Sequence, residues 1–333
     1  MWARRERRGG ADQRGAGPGE ATTLRLGYFP NVTHATAIVG VQQGFLRDAL
    51  GDVTLETATF NAGGQAIEAL FSGAIDATYI GPNPAINGFT RSGGEAVRLI
   101  AGATSGGAFL VVRDGIESPE DLGGTTLSSP ALGNTQDVAL RAWLADQGYE
   151  TTPEGGGEVS ITPQENAQIL ESFRAGQIDG AWVPEPWATR LTNEGGGHVL
   201  VDERDLWPGG RFVTTHLLVS REYLDRNPGV VQRLLEGHVR ANDFVNDRPD
   251  EAQAIVIAAI EEITGAALSG DTIAEAWGNL EFTVDPIASS LQPSADDAAG
   301  VGLLDPVDLD GIYALDLLNE VLAAQGREEV AGS

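Results

Sequence analysis

Four short segments of the chain combine hydroxyl, amide and glycine residues in a way that could bind a small anion. Each is expected at the carboxyl end of a β-strand, where open α/β sheets bind their ligands. They are residues 29–34 (FPNVTH), 81–84 (GPNP), 104–108 (TSGGA) and 131–135 (ALGNT). None contains arginine, so the available donors are hydroxyls, amides, backbone N–H groups and helix N-termini. Such neutral donors can hold an anion without desolvating a protein cation.

Two further segments could contribute to the same site, residues 185–187 (EPW) and 214–216 (TTH). Trp187 could pack against an organic part of the ligand, although an aromatic residue after a buried strand is as often part of the core. Glu185 could cap a helix, accept hydrogen bonds or meet an amine of the ligand. The candidate ligand-binding residues are Asn31, Thr33, His34, Asn83, Pro84, Ser105, Gly106, Gly107, Gly133, Asn134, Thr135, Glu185, Trp187, Thr214 and His216.

Histidine is the other residue type here that could do chemistry. His34 and His216 are expected on opposite halves of the molecule, and both could reach the same cleft. Two histidines do not make a metal site, and an isolated histidine is more often structural. We therefore expect no metal, no cofactor and no catalytic residue.

The composition excludes several classes of protein. The 333 residues include no cysteine and no lysine, which excludes disulfides, thiolate sites and Schiff-base chemistry. The formal net charge is −27, and no basic face suited to nucleic acid is evident. No apolar stretch approaches the ~18 residues that a membrane-spanning helix needs.

The elements that must position these segments are revealed by an internal repeat. Residues 67–84 read IEALFSGAIDATYIGPNP, and residues 170–187 read LESFRAGQIDGAWVPEPW. Each copy predicts an amphipathic helix, a G-x-I-D break, a short strand that is apolar on both faces, and a loop with proline. The aligned pairs are Gly73 with Gly176, Ile75 with Ile178, Asp76 with Asp179, and Tyr79 with Trp182.

The flanking segments extend the repeat, so that each half follows the order β-α-β-α-β. This order predicts an α/β fold with two doubly wound lobes joined by a two-strand hinge. The crossings between lobes are expected near residues 112–115 and 217–220. Lobe one would then comprise residues 22–113 plus 219–333, and lobe two residues 114–218. A helical pattern dominates the chain after the second crossing. A further helix is expected to begin at residue 84, with Asn83 as its N-cap.

Residues 1–21 are basic and rich in glycine and lack the apolar core of a signal peptide. They predict a disordered leader.

Several runs of the sequence resemble one family: LRLGYFPNVTHA, GAIDATYIGPNPAIN, TSGGAFLVV, SSPALGNTQD and WVPEPWA. The chain is similar to the sulfonate-, nitrate- and taurine-type solute-binding proteins of ABC importers, by motif over residues 24–218 and by general pattern beyond. The resemblance implies the type II periplasmic-binding fold. It also implies ligand contacts from residues 31–34, 83–84, 105–108, 133–135 and 185–187. Relatives usually carry a signal peptide or a lipobox cysteine, which this sequence lacks.

The function that this resemblance implies is an extracytoplasmic, monomeric binding protein that closes on an aliphatic sulfonate or taurine-like anion. It would deliver that solute to the permease subunits of an ABC importer. Nitrate, bicarbonate or a thiamine-precursor pyrimidine are alternative ligands. An enzyme on the same fold, a precursor synthase with His34 or His216 as its acid–base group, is the alternative from another class. A sensor domain is a third.

Overall fold

The computed structural model describes residues 21–332, and the predicted leader lies outside this range except for Ala21. Eleven strands form two mixed sheets in the described range. The strands are β1 (Thr23–Tyr28), β2 (Thr54–Thr59), β3 (Ala77–Ile80), β4 (Val97–Gly106), β5 (Ala108–Val112), β6 (Thr126–Ser128), β7 (Ser160–Ile161), β8 (Gly180–Pro184), β9 (His198–Asp202), β10 (Val213–Ser220) and β11 (Leu280–Phe282).

Helices cover both faces of each sheet. They are α1 (Ala35–Gln42), α2 (Phe45–Leu50), α3 (Gly63–Phe71), α4 (Pro82–Arg91), α5 (Thr135–Asp146), α6 (Asn166–Arg174), α7 (Trp187–Asn193), α8 (Arg221–Arg226), α9 (Pro228–Asp247), α10 (Pro249–Thr264), α11 (Gly270–Gly278), α12 (Leu291–Gly300) and α13 (Asp316–Ala324). None of the helices in residues 21–332 is long and apolar enough to cross a membrane.

The two sheets have related topologies. The first has the order β11-β4-β10-β3-β1-β2 and the second the order β7-β6-β8-β5-β9. In each, three parallel strands (β2-β1-β3 and β7-β6-β8) are followed by an antiparallel strand, β10 or β5. The predicted α/β fold with two doubly wound halves is confirmed.

The G-x-I-D repeat has a structural cause. The carboxylate of Asp76 accepts the backbone N–H of Arg25 at 2.8 Å, at the start of β1. Asp179 accepts the N–H of Thr126 at 2.8 Å, at the start of β6. Each aspartate therefore fixes the register between a helix-to-strand turn and the neighbouring parallel strand, and the glycine that ends the preceding helix has positive φ in both copies.

The aligned aromatic residues lie in the two cores. Tyr79 and Trp182 are both fully buried, in separate apolar clusters. Each satisfies its polar atom, because the Tyr79 hydroxyl bonds to Nδ1 of His238 at 2.8 Å and Trp182 Nε1 donates to Glu203 at 2.7 Å. The aligned aromatic residues of the repeat are therefore core residues.

The crossings between sheets differ from the predicted positions. β5 pairs with β8 and β9, so the chain enters the second sheet at residue 108 rather than near 112–115. β10 pairs with β3 and β4, so the return is complete by residue 213 rather than near 217–220. The sheet that each half of a long apolar segment joins depends on strand pairing. The sequence pattern does not show this pairing. We propose lobe boundaries at these crossings.

Residues 104–108 belong to two strands joined by a single glycine rather than to the predicted loop. β4 runs through Gly106, and only Gly107 separates it from β5. Gly107 has φ +70°, and a Cβ there would lie 2.1 Å from Cδ2 of Leu280. The backbone therefore changes sheets at a position that requires glycine.

Candidate functional site

A small cavity of about 50 Å³ lies between the two halves of the molecule. It has room for a few water-sized groups, since one water needs about 10–15 Å³ of such space. Its walls come from the loop after β1, the starts of α3, α4 and α5, the end of β8 and the start of β10. The lining residues are Phe29, Asn31, Thr33, His34, Gly63, Gly81, Pro84, Asn134, Thr135, Gln136, Pro184, Thr214 and Thr215.

Seven of the predicted site residues line this cavity, and an eighth, Trp187, lines the adjoining groove described below. Those in the cavity wall are Asn31, Thr33, His34, Pro84, Asn134, Thr135 and Thr214. Segments that are more than one hundred residues apart in sequence therefore meet at one point. The wall contains no Asp, Glu, Arg or Lys side chain.

Thr215 is a candidate donor to a ligand oxygen in this cavity. It is 1% exposed, lines the cavity, and its Oγ1 has no hydrogen-bond partner among the described residues. The neighbouring Thr214 instead donates its hydroxyl to the carbonyl of Gly106 at 2.5 Å. Because a buried hydroxyl without a partner is costly, Thr215 is suited to bind a ligand oxygen.

His34 is a neutral donor at the other side of the cavity. Its ring stacks on Phe29 with 4.7 Å between ring centroids, and Nδ1 accepts the backbone N–H of Phe29 at 3.4 Å. This places the proton on Nε2. Burial lowers the pKa of His34 to about 3, so the imidazole is uncharged near neutral pH.

The N-terminus of α5 also faces the cavity. Asn134, Thr135 and Gln136 form its first turn and all three line the wall. The first backbone N–H groups of a helix have no partner within the helix and carry partial positive charge. This end of α5 therefore favours a negatively charged ligand group.

The two halves approach each other closely beside the cavity. An added Cβ at Gly81, between β3 and α4, would lie 2.6 Å from Oγ1 of Thr135 and 3.7 Å from the carbonyl oxygen of Thr214. Gly81 has φ −71°, which any residue can adopt. The glycine is therefore required by close approach between lobes and not by its backbone conformation.

A wider groove of about 610 Å³ adjoins the cavity, and Phe29 and Asn31 line both. Its walls combine apolar side chains, among them Phe60, Leu170, Trp187, Ile260, Ile263 and Leu268, with polar and charged ones, among them Glu165, Glu171 and Arg190. Trp187 Nε1 donates to Oδ1 of Asn31 at 3.0 Å, across the two halves. Trp187 therefore lines the groove and also packs on the core of the second half.

Glu185 has a structural position. It is fully buried, and its carboxylate accepts from Asn279 Nδ2 at 2.7 Å, from the Thr189 hydroxyl at 2.9 Å and from the Thr189 N–H at 3.1 Å. Burial raises its pKa, against these hydrogen bonds. Of the roles left open for Glu185, the structure shows hydrogen bonding and capping of α7, and it links the second sheet to the segment before β11.

Five other predicted site residues lie outside the cavity wall. Ser105, Gly106 and Gly107 belong to the crossing between sheets, and Gly133 donates its N–H to Asp137 at 2.9 Å. Asn83 is not a helix cap, because α4 begins at Pro82 and Asn83 Nδ2 donates to the carbonyl of Ser294 at 3.1 Å.

His216 is also directed away from the cavity. It is fully buried on β10, and Nε2 lies 3.2 Å from the carbonyl oxygen of Pro286. Burial lowers its pKa to about 4. His34 and His216, which from the sequence could both reach one cleft, therefore do not meet.

The sequence-based set missed six lining residues, Phe29, Gly63, Gly81, Gln136, Pro184 and Thr215. Phe29 and Gly81 lie inside segments that were recognised as loops. Gln136 follows Thr135 in the first turn of α5, a position that could have been read from the helix start. Thr215 is presented by register shifts on either side of it in the pairing of β10 with β4, which the sequence does not signal.

Among residues 21–332, no group of three or more His, Asp or Glu side chains could hold a metal ion.

Comparison with known proteins gives consistent matches. The chain is 26% identical over 197 residues to the taurine-binding periplasmic protein of Escherichia coli K12, a match that covers 59% of each chain. It thus spans about three fifths of that relative's length.

Solved structures share the fold. The alkanesulfonate-binding protein SsuA from Xanthomonas axonopodis pv. citri, bound to MOPS, superimposes with a TM-score of 0.74 at 21% identity, over 89% of this chain and 99% of that one. The nitrate-binding protein NrtA from Synechocystis PCC 6803 has a TM-score of 0.74 at 18% identity, over 92% and 89% of the two chains. The family model for the NMT1-like family matches residues 17–260, so the chain belongs to the NMT1-like family.

Proposed function

We propose that this protein is an extracytoplasmic solute-binding protein of an ABC importer and that it binds a small organic anion between its lobes. The observation that carries the proposal is the cavity between the two halves, lined by neutral donors and free of charged side chains. The relatives named above, with their taurine, alkanesulfonate and nitrate ligands, support it.

The donors in the cavity favour an anion. Thr215 offers a buried hydroxyl, His34 offers a neutral Nε2–H, and the first turn of α5 offers backbone N–H groups. All of these stabilise negative charge, and no carboxylate in the wall opposes it. The net charge of −27 does not conflict with this, because distant surface charges are screened by salt.

The size of the two spaces favours a ligand with an acidic head and an organic tail. A sulfonate group would occupy the 50 Å³ cavity, and its substituent would extend past Phe29 and Asn31 into the wider groove, against the apolar side chains there. Nitrate or bicarbonate would fill the cavity and leave the groove to solvent. We therefore propose an aliphatic sulfonate or a taurine-like compound as the solute.

Binding without catalysis is part of the proposal. His34 is the ionisable side chain in the cavity wall, and with a pKa of about 3 it is a poor proton acceptor near neutral pH. His216, the other acid–base candidate, lies away from the cavity. This arrangement favours a binding protein over a precursor synthase. We propose that it acts as a monomer, with the permease subunits of the importer as its partner.

Isothermal titration calorimetry with ethanesulfonate, taurine, nitrate and bicarbonate, at one pH and salt concentration, tests the proposal. We expect the tightest binding for ethanesulfonate or taurine. Mass spectrometry after incubation should recover the ligand unchanged. Binding of nitrate or bicarbonate alone would overturn the choice of solute, and binding of none of the four, or turnover of any, would overturn the proposed function.

A further inference from the structure

A buried ion pair lies directly behind the anion-facing end of α5. Asp137 and Arg141 are one helical turn apart, with Arg141 Nε donating to Asp137 Oδ2 at 3.0 Å. Their side chains are 0% and 1% exposed. Neither side chain lines the cavity, so this pair does not touch the ligand in the proposed function.

Asp137 holds the loop that precedes α5 at both of its ends. Its Oδ1 accepts the hydroxyl of Ser129 at 2.6 Å, and its Oδ2 accepts the backbone N–H of Gly133 at 2.9 Å. Ser129 follows β6, and Gly133 directly precedes the cavity-lining turn that begins at Asn134. The carboxylate therefore fixes where the first turn of α5 presents its donors.

Arg141 compensates the charge of that carboxylate. Besides its bond to Asp137, its Nη1 donates to the carbonyl of Thr152, and its Nη2 has no hydrogen-bond partner among the described residues. An isolated charge is costly to bury, so each partner depends on the other. Without Arg141, an uncompensated carboxylate would lie one residue beyond Gln136 in the chain, behind the proposed anion site.

We infer that Asp137 and Arg141 are positioning residues for the anion site: Asp137 fixes the loop, and Arg141 is the counter-ion that prevents Asp137 from repelling the ligand. This inference rests on the proposed function. Charges separated by less than about 10 Å in a protein interior interact strongly enough to change affinity about tenfold. Removing the charge of Arg141 should therefore lower the anion affinity, and removing the charge of Asp137 should maintain or raise it.

Calorimetry with ethanesulfonate on four variants tests the direction in which each substitution changes the affinity. R141M should weaken binding about tenfold or more, because Asp137 is left uncompensated. D137N should bind as well as the wild type or tighter, because asparagine can still accept from Gly133 and Arg141 then adds positive charge. R141K loses the hydrogen bond to Thr152 but keeps a positive charge beside Asp137, and it should stay within about threefold of the wild type. The double variant D137N/R141M, which removes both charges, should do so as well.

Thermal unfolding of every variant separates charge from folding. A purely structural role predicts that affinity falls in proportion to lost stability, so that D137N and R141K weaken binding alongside R141M. R226M is the matched control, because Arg226 forms an i,i+4 pair with Glu222 on the surface, and its affinity should be unchanged.

The outcomes are distinguishable. If R141M does not fold, D137N and R141K still decide the question, because a loss of about tenfold in either one overturns the inference. No binding by the wild-type protein would overturn the proposed function and this inference with it. If the wild-type protein binds ethanesulfonate but D137N binds it as weakly as R141M does, only this inference is overturned.

Discussion

The indole Nε1 of Trp187 lies 3.0 Å from Oδ1 of Asn31, in a hydrogen bond that joins the two halves of the molecule. Trp187 begins α7 in the second half, and Asn31 belongs to the loop after β1 in the first. Both residues line the groove, and Asn31 also lines the cavity. The bond therefore lies where the cavity opens into the wider groove.

Replacing Trp187 with phenylalanine should weaken ligand binding. The substitution removes the bond to Asn31, which forms only when the halves are together, and keeps an aromatic ring at the groove. A net loss of about 0.5–1.5 kcal/mol, or up to about tenfold in Kd, is expected by calorimetry. Trp277→Phe is the control, because Trp277 packs on Phe282 within the first half. Equal effects of the two substitutions would argue against a role for the bond in closure.

Replacing Thr215 with valine should separate binding from stability. The hydroxyl of Thr215 has no partner among the described residues, so its loss should leave the free energy of unfolding unchanged or raise it. Ligand affinity should fall by about 1–3 kcal/mol, since a donor to the ligand is lost. Urea unfolding without ligand and calorimetry with it measure the two quantities.

Thr104→Val is the matched control for that experiment. The Thr104 hydroxyl donates to the carbonyl of Thr33 at 2.6 Å in the core behind the cavity. Its loss should lower the free energy of unfolding. Should Thr215→Val destabilise the unliganded protein as much and leave affinity intact, the hydroxyl would be structural.

Replacing Gly81 with alanine should hinder the approach of the two halves. The new methyl group would lie 2.6 Å from the Thr135 hydroxyl, within contact distance of the opposite half. We expect weaker ligand binding and an almost unchanged melting temperature for the unliganded protein. Gly64→Ala is the control, because a Cβ at Gly64 meets no atom within 4 Å. A loss of affinity with the Gly64 variant alone would contradict this account.

Glu203 should make stability fall as pH rises. Burial raises its pKa to about 7 from a usual value of 4.5, although the indole N–H groups of Trp182 and Trp207 oppose the shift. The folded protein thus binds the proton more tightly than the unfolded chain. This contribution is fully present below pH 4.5 and is lost as pH rises through about 7, for a total of about 3 kcal/mol.

The variant Glu203→Gln should lack that pH dependence. Urea unfolding of wild type and variant between pH 4.5 and 8 should show the variant gaining relative stability across this window. The histidines with lowered pKa values, His34, His216 and His238, act in the opposite direction as pH falls below about 6.5, and their contribution cancels in the difference. A difference that stays constant with pH would show that folding does not raise the pKa of Glu203.

The sequence predicted the fold because the fold depends on local signals. Asp76 and Asp179 occur at matching positions because each fixes a helix-to-strand turn to a neighbouring strand, and such a contact leaves a visible repeat. The loop after β1 and the first turn of α5 were found for a similar reason, since strand ends and helix starts have characteristic residues.

The remaining features depend on pairing between distant strands. The register shifts at Val213–His216 turn two adjacent threonines to the cavity and send His216 to the other side. Simple alternation along a strand would have placed Thr214 and His216 together. The crossing at Gly107 was missed because β4 and β5 form one apolar run whose two parts pair in different sheets.

The most direct test of the account is a crystal structure of the protein with 2-bromoethanesulfonate, in which bromine marks the tail by its anomalous signal. We predict that the sulfonate oxygens lie within hydrogen-bond distance of Thr215, His34 and the first turn of α5, with the bromine towards the groove at Trp187. A sulfonate bound elsewhere, or held by an arginine, would contradict the claim that neutral donors between the two halves bind the anion.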